Sequence, residues 1–158
     1  MAQVLSGFRP VRHVSGAPYN GQVTRYVVSS ADTVALNIGD LVSLSATPWT
    51  NNIDGGVYPA VTRAGTSTTT PVTSATIVGS VVGFLPNYAN LNISQFKAAS
   101  TTAIVFVADA PDLVFAAAQS GTAGAQVTNA SIGLNVSLVP GLTSTSAPYA
   151  SEIGRAHV

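Results

Sequence analysis

The sequence predicts an all-β fold, a sandwich or a barrel. Three observations carry this. Short runs rich in Val, Ile, Thr and aromatic residues recur along the chain, about seven or eight of them, each bounded by Gly, Pro, Asn or Asp. No segment keeps a helical period over a convincing length. Neither a linker nor a fixed-period repeat divides the 158 residues, so one domain is expected.

The elements follow in order. Ser6 to Gly21 holds three Gly and two Pro. A helix or a long central strand does not tolerate that, and the segment reads as an extended arm with turns. Gln22 to Val28 alternates Val23, Arg25 and Val27 against Thr24, Tyr26 and Val28, which predicts a strand. Asn37-Ile38-Gly39-Asp40 is a turn signal, and Leu41 to Ser45 a short strand. Thr47 to Gly56, with Pro48, Trp49, two Asn and Asp54-Gly55-Gly56, has loop composition. Val57 to Arg63 reads as a weaker strand that Pro59 pushes to an edge or a bulge. Ala64 to Ser74 is a polar loop. Ala75 to Phe84 is the strongest β segment, and Gly79 and Gly83 inside it predict bulges or close backbone approach. Pro86 to Asn92 turns the chain. Ala103 to Ala108 predicts a buried strand closed by Asp109-Ala110-Pro111-Asp112. Leu113 to Gln119 resumes β structure, or makes one helical turn at its alanines. Ile132 to Val139 is the last expected strand.

Composition narrows the function. Six basic and six acidic side chains are all the formal charge in the chain, and they cancel. An ordinary soluble domain is about one quarter charged, and lone proteins usually keep their net charge away from zero. A neutral surface of Ser, Thr, Asn and Gln predicts a chain that works packed against other protein. The balance gives no electrostatic footprint for direct nucleic-acid or anionic-membrane binding. No apolar run approaches a membrane span. Without cysteine there is no disulfide or thiolate site, and the redox compartment stays open. The start, Met1 to Gly7, lacks the regions of a secretory signal, which predicts synthesis in the cytoplasm without export.

The inventory of reactive groups is thin. His13 lies in the arm, the sequence has no Gly-x-Ser-x-Gly nucleophile elbow, and the residue reads as a surface or interface histidine. Asp109 and Asp112 are the only closely spaced carboxylates. Paired carboxylates can drive acid–base chemistry when their environments split their pKa values. Across Ala110-Pro111 they fit better as turn residues accepting backbone N–H groups, ahead of a weak cation site. Asp54-Gly55-Gly56 lacks the recurring oxygen ligands of a calcium loop. No phosphate loop and no zinc pattern occurs, so no cofactor and no metal is expected. The sequons at Asn92, Asn129 and Asn135 read as chance matches in a Ser/Asn-rich chain. Trp49, Tyr58 and Tyr19 are loop or arm aromatics that could anchor an interface, cover a core edge or stack on sugar.

The last seven residues, Glu152 to Val158, match the translation of a common short-read sequencing adapter. They are expected to be an adapter-derived tail, and the natural chain to continue past Ser151. The expected division is an extended arm over 1–22, a β-sandwich over 23–151 and that tail over 152–158.

Gly7-Phe8-Arg9-Pro10-Val11-Arg12, continued by Ser15 to Gln22 and Arg25-Tyr26-Val27, resembles the capsid cement, or head decoration, proteins of tailed double-stranded DNA bacteriophages. The likeness continues through Ile38 to Val42, Ile77-Val78-Gly79, Val82-Gly83-Phe84 and Ala98-Ala99-Ser100. It runs on through Val105 to Asp109, Pro111-Asp112, Phe115 and Gly133-Leu134-Asn135, and so covers the chain to about residue 145. Each piece is short; their order and spacing carry the resemblance. The chain departs from the pattern at Ala116-Ala117-Ala118-Gln119, where relatives tend to be acidic, and at the adapter-like end.

The resemblance implies a jelly-roll-like β-sandwich on the outside of an icosahedral head, made in the bacterial host cytoplasm and carried on the virion exterior. It implies a non-enzymatic structural protein whose partner is the major capsid protein, bound as a homodimer or other homo-oligomer. Neutral polar surfaces lose little on burial, whereas an unpaired buried charge costs several kcal/mol. A Pro-containing arm loses less entropy on docking than a flexible one. Within the arm, Phe8 is expected as an apolar anchor, Arg9 and Arg12 as forks onto capsid carboxylates, and Tyr19 and Asn20 as polar contacts. The arm could equally pack across its own sandwich, with Phe8 covering the core mouth. The rival reading is an adhesin or carbohydrate-binding module of a tail fibre, with Trp49 as its platform.

Overall fold

The computed structural model describes residues 7–45, 49–50, 55–65, 76–86, 96–117, 129–134, 137–139 and 155–157. Eleven strands are present among them. In chain order these are β1 (Arg9–His13), β2 (Thr24–Val28), β3 (Leu41–Leu44), β4 (Trp49–Thr50), β5 (Val57–Tyr58) and β6 (Val61–Arg63). They continue with β7 (Ile77–Phe84), β8 (Ala103–Ala108), β9 (Leu113–Ala116), β10 (Ser137–Val139) and β11 (Arg155–His157). The described residues contain no α-helix; Asn129–Ser131 makes one 3-10 turn.

The fold is all-β. Its centre is a five-stranded antiparallel sheet in the order β2-β8-β7-β3-β6. A second, two-stranded antiparallel sheet joins β1 to β9, and two further pairs join β4 to β5 and β10 to β11. The large sheet curls until its edges meet. Val27 in β2 forms a parallel bridge with Ala60, just before β6, and its N–H donates to Pro59 O at 3.1 Å. Meeting edges leave fewer unpaired backbone groups for stray chains to extend. Among the described residues, the eight strands of a jelly roll are not laid out.

Strong curl needs a local cause, and β7 supplies it. Against β3, Gly79 pairs with Val42 and Ile77 with Ser43, so Val78 is passed over. Against β8, Val81 pairs with Val107 and Gly83 with Phe106, so Val82 is passed over. Each extra residue bends the strand and adds twist. Gly79 sits where β7 presses on β8, and a Cβ there would overlap the carbonyl oxygen of Ala108. Both glycine expectations therefore hold, one as a close approach and both beside bulges.

The core lies inside the curl. Tyr26 and Val28 of β2, Val42 of β3, Val61 of β6, Val81 and Phe84 of β7, and Val105 and Val107 of β8 pack there with Leu36. The period-two alternation of β2 and β8 sends these side chains inward. Burying one such valine contributes about 1.5–3 kcal/mol. The outer face is also covered in part, because Val27, Ser80, Ile104 and Ala108 are buried.

Most local expectations match. Val57 to Arg63 breaks at Pro59 into β5 and β6, because proline has no N–H to give a ladder. Asn37 to Asp40 is a turn, with Asp40 N–H on Asn37 O and Asn37 N–H on Asp40 Oδ2 at 2.8 Å. Two expectations need correction. The stretch Thr47–Gly56 is not all loop, since Trp49–Thr50 pairs with Val57–Tyr58. Ile132–Val139 is not one strand: Ile132, Gly133 and Leu134 form an exposed turn and pairing begins at Ser137. Gly133 takes a positive φ of 84°, which extended backbone does not allow. Arg155–His157, within the heptapeptide read as an adapter-derived tail, runs antiparallel to Ser137–Val139. The polar loop over 66–74, the turn over 87–92, Ala118-Gln119 and the sequons at Asn92 and Asn135 lie outside the described residues.

Candidate functional site

The arm is part of the fold. Its root is Gly7, at φ 71°, where a Cβ would overlap the Gly39 backbone. Phe8 N–H donates to Gly39 O at 2.9 Å, and Phe8 O accepts the Ser80 hydroxyl at 2.6 Å. The residue is thus held at both backbone groups and its ring is half-buried. From there β1 runs antiparallel to β9, Arg9 opposite Ala116 and His13 opposite Leu113. The chain then reverses through Gly16 at φ 92°, where Gly16 N–H bonds to His13 O and His13 N–H to Ala17 O. It returns along β1 with Tyr19 N–H on Val11 O at 3.1 Å. So β1 is paired on both sides, and the arm packs on its own domain.

A bulge decides which side chains face out. Pro10 opposes Phe115 and Arg12 opposes Val114, so Val11 is the extra residue. Regular alternation would expose Arg9, Val11 and His13. The bulge shifts the phase after Val11, and the exposed set becomes Arg9, Val11 and Arg12, with His13 turned inward. Val14 in the following turn is 74% exposed. Neither Arg9 nor Arg12 makes an ion pair with a described residue.

Tyr19 and Asn20, expected as contact residues, are engaged within the arm. The Tyr19 hydroxyl donates to Gln22 O at 2.9 Å, and Asn20 Oδ1 accepts Gln22 N–H at 3.0 Å. Burial and the nearby Asp109 carboxylate raise the Tyr19 phenol pKa. Trp49 lies in β4, and its side chain is outside the described residues.

Asp109 and Asp112 close β8 and act differently from the expected turn pair. Asp109 accepts the Tyr26 hydroxyl at 2.8 Å and the Thr24 hydroxyl at 3.0 Å. Burial first, and then the Asp109 hydrogen bond and charge, push the Tyr26 phenol up to about 12. Asp112 Oδ2 lies 3.0 Å from His13 Nδ1, and Val14 N–H donates to Asp112 O at 2.8 Å. The two carboxylates serve separate partners: one ties down the start of β2, the other the end of β1.

Two buried polar clusters escaped sequence reading. Lys97 is 1% exposed, and its ammonium donates to Asp32 O at 2.8 Å and Val34 O at 3.0 Å. Its backbone exchanges two hydrogen bonds with Leu36, and burial lowers the amine pKa although the Asp32 charge opposes that. Asp32 also accepts Thr62 Oγ1 and Val34 N–H, both at 2.9 Å. The second cluster is Arg63 with Asp40, at 4.0 Å and each 6% exposed. Both clusters brace loops over the core. No group of three or more His, Cys, Asp or Glu that could hold a metal occurs among the described residues. No helix among them is long and apolar enough to cross a membrane.

Comparison with protein-family models, with curated proteins and with solved structures gives no match.

Proposed function

We propose that this chain is a structural protein of a bacteriophage virion, a non-enzymatic cement that binds the major capsid protein on the outside of the head and stabilises the shell. The jelly-roll sandwich, the homo-oligomeric state and the virion-exterior location belong to this proposal. They come from the resemblance carried by the arm and strand segments.

The observation that supports it is the arm. A segment rich in Gly and Pro is stitched to the domain along both sides of β1, and its bulge turns Arg9, Val11 and Arg12 outward together. A pre-ordered strand loses little entropy when a partner covers it. Guanidinium groups pair carboxylates through two parallel N–H bonds, which gives orientation as well as attraction. Many linked copies on a lattice turn a modest contact into a stable shell.

The test uses empty heads assembled from a tailed-phage major capsid protein found in the same genome. The protein should co-sediment with them and raise the temperature at which they rupture. Doubling the change Arg9→Ala with Arg12→Ala should weaken binding several-fold. Heads that neither retain the protein nor gain stability would end the reading.

A further inference from the structure

We infer that Asn20-Gly21, where the arm leads into β2, is a site of self-modification: the Gly21 amide nitrogen attacks the Asn20 side-chain carbonyl, and the product, an aspartyl or isoaspartyl residue, loosens the arm. The inference is independent of the capsid-binding reading, because the reaction needs only this chain and water.

The sequence singles out the pair. The chain has nine asparagines, and only Asn20 is followed by glycine. Elsewhere the next residue is Asn, Ile, Tyr, Leu, Ala or Val. The nucleophile is the nitrogen of that next residue, and a side chain on it crowds the approach to the asparagine carbonyl carbon. Glycine has no Cβ, and its backbone turns freely into the geometry that ring closure needs.

The fold leaves the pair open and poised. Asn20, Gly21 and Gln22 are exposed and lie between β1 and β2, outside any strand. Gly21 takes a φ of 83°, and nothing lies within 4 Å of the place a Cβ would occupy. Its N–H makes no hydrogen bond among the described residues, so the nucleophile is uncommitted. Asn20 Oδ1 accepts Gln22 N–H at 3.0 Å. That bond folds the side chain forward along its own peptide link, towards the Gly21 nitrogen. It also aims a backbone donor at the oxygen on which negative charge develops when the carbonyl is attacked. Reacting groups held side by side in this way no longer have to find each other.

The atoms balance with water as the one co-reactant. The Gly21 nitrogen gives its proton to solvent and bonds to Asn20 Cγ. The Cγ–Nδ2 bond breaks, the amide leaves as ammonia, and a succinimide closes. Water then opens either imide carbonyl. Opening at Cγ leaves aspartate in an unaltered main chain. Opening at the main-chain carbonyl routes the chain through Cβ and leaves isoaspartate. Both products carry a new carboxylate.

The arm feels the change because its returning strand is anchored beside it. Tyr19 N–H bonds to Val11 O, and the Tyr19 hydroxyl reaches across Asn20 to Gln22 O at 2.9 Å. Isoaspartate adds a main-chain carbon inside that span and takes the Oδ1 acceptor away from Gln22 N–H. The returning strand then loses its hold on β1.

The experiment incubates the folded full chain at mildly alkaline pH and follows it by isoelectric focusing and by peptide mapping after unfolding. Trypsin cuts after Arg12 and Arg25, and the peptide 13–25 carries one asparagine, Asn20. A methyltransferase specific for isoaspartate scores that product. The focused band should move to the acidic side, and the peptide 13–25 should gain the deamidated mass, part of it as isoaspartate, ahead of every other asparagine-containing peptide. Gly21→Ala places its Cβ in open space, circular dichroism checks its fold, and it should slow the change on the order of tenfold. Earlier loss of another asparagine, or equal rates for wild type and Gly21→Ala, overturns the site. A synthetic peptide 13–25 that reacts faster than the folded chain overturns the poising by the turn. Limited trypsin digestion of the aged, folded protein should cut the Arg12–His13 bond several-fold faster than in fresh protein, whereas aged Gly21→Ala should match fresh Gly21→Ala. Equal cleavage of aged and fresh wild type overturns the effect on the arm.

Discussion

Replacing Gly7 by alanine should release the arm while leaving the curled sheet folded. The added Cβ has nowhere to go. It would overlap the Gly39 Cα and lie 2.7 Å from Gly39 O, and both are backbone atoms that cannot swing aside. The φ of 71° adds a cost of about 1 kcal/mol for a residue with a side chain. Shifting the arm away breaks the Phe8 N–H bond to Gly39 O and the Ser80 hydroxyl bond to Phe8 O. Each contributes about 1 kcal/mol net. The sum, about 3 kcal/mol, raises the undocked fraction roughly a hundredfold. Limited trypsin digestion reads this directly, because the Arg12–His13 bond is cleavable only when β1 leaves β9 and the returning strand. Cleavage should accelerate by about that factor, while far-ultraviolet circular dichroism stays near wild type. Gly16→Ala is the control. Its φ is 92° but nothing lies within 4 Å of the new Cβ, so only the conformational cost applies. If Gly7→Ala is cleaved no faster than Gly16→Ala, the contact with Gly39 does not hold the arm and the reasoning is wrong.

Other outcomes test the sheet and its polar braces. Gly79→Ala forces β7 away from the Ala108 carbonyl and should cost about 2–4 kcal/mol, seen as a melting temperature lower by roughly 5–15 °C; an unchanged melting curve would contradict the close approach. Tyr26 has a phenol pKa raised from 10.0 to about 12, so its contribution is intact below pH 10 and is lost as pH climbs through 12. Two units correspond to about 3 kcal/mol, and urea midpoints of the wild type should fall more steeply over that window than those of Tyr26→Phe; parallel curves would refute the burial of this phenol against Asp109. Lys97→Met keeps the apolar stem but strands Asp32 O and Val34 O, and should destabilise by about 1–3 kcal/mol in chemical denaturation; a neutral result would mean the ammonium does not brace the loop.

The local elements were legible because their causes are local. The alternation of Tyr26 with Val27 and Val28, the run Ala103–Ala108, the turn at Asn37–Asp40 and the break at Pro59 depend on neighbouring residues alone. Gly79 also announced itself, since a glycine inside a β run has few other reasons to be there. The exposed turn at Ile132 to Leu134 misled because its alternating apolar residues mimic a strand, while Gly133 at φ 84° breaks one.

The candidate site was only half legible. Arg9 and Arg12 stood out as the charged residues of the arm, but the bulge at Val11 that aims them together depends on β9, about a hundred residues away. Lys97 reads as a surface residue in any local window, yet it is buried under a loop whose carbonyls it holds.

The chain by itself determined that the fold is all-β, where most strands begin and stop, and that charge would be scarce. Those properties follow from backbone preferences and composition, which act over a few residues. Only the tertiary structure decided that the arm joins β9, that Val27 meets Ala60 to close the sheet, and that Asp109 and Asp112 bind Thr24, Tyr26 and His13. Each of those is a contact between distant segments. Its energy exists only once packing has brought the groups together, so no local pattern can carry it.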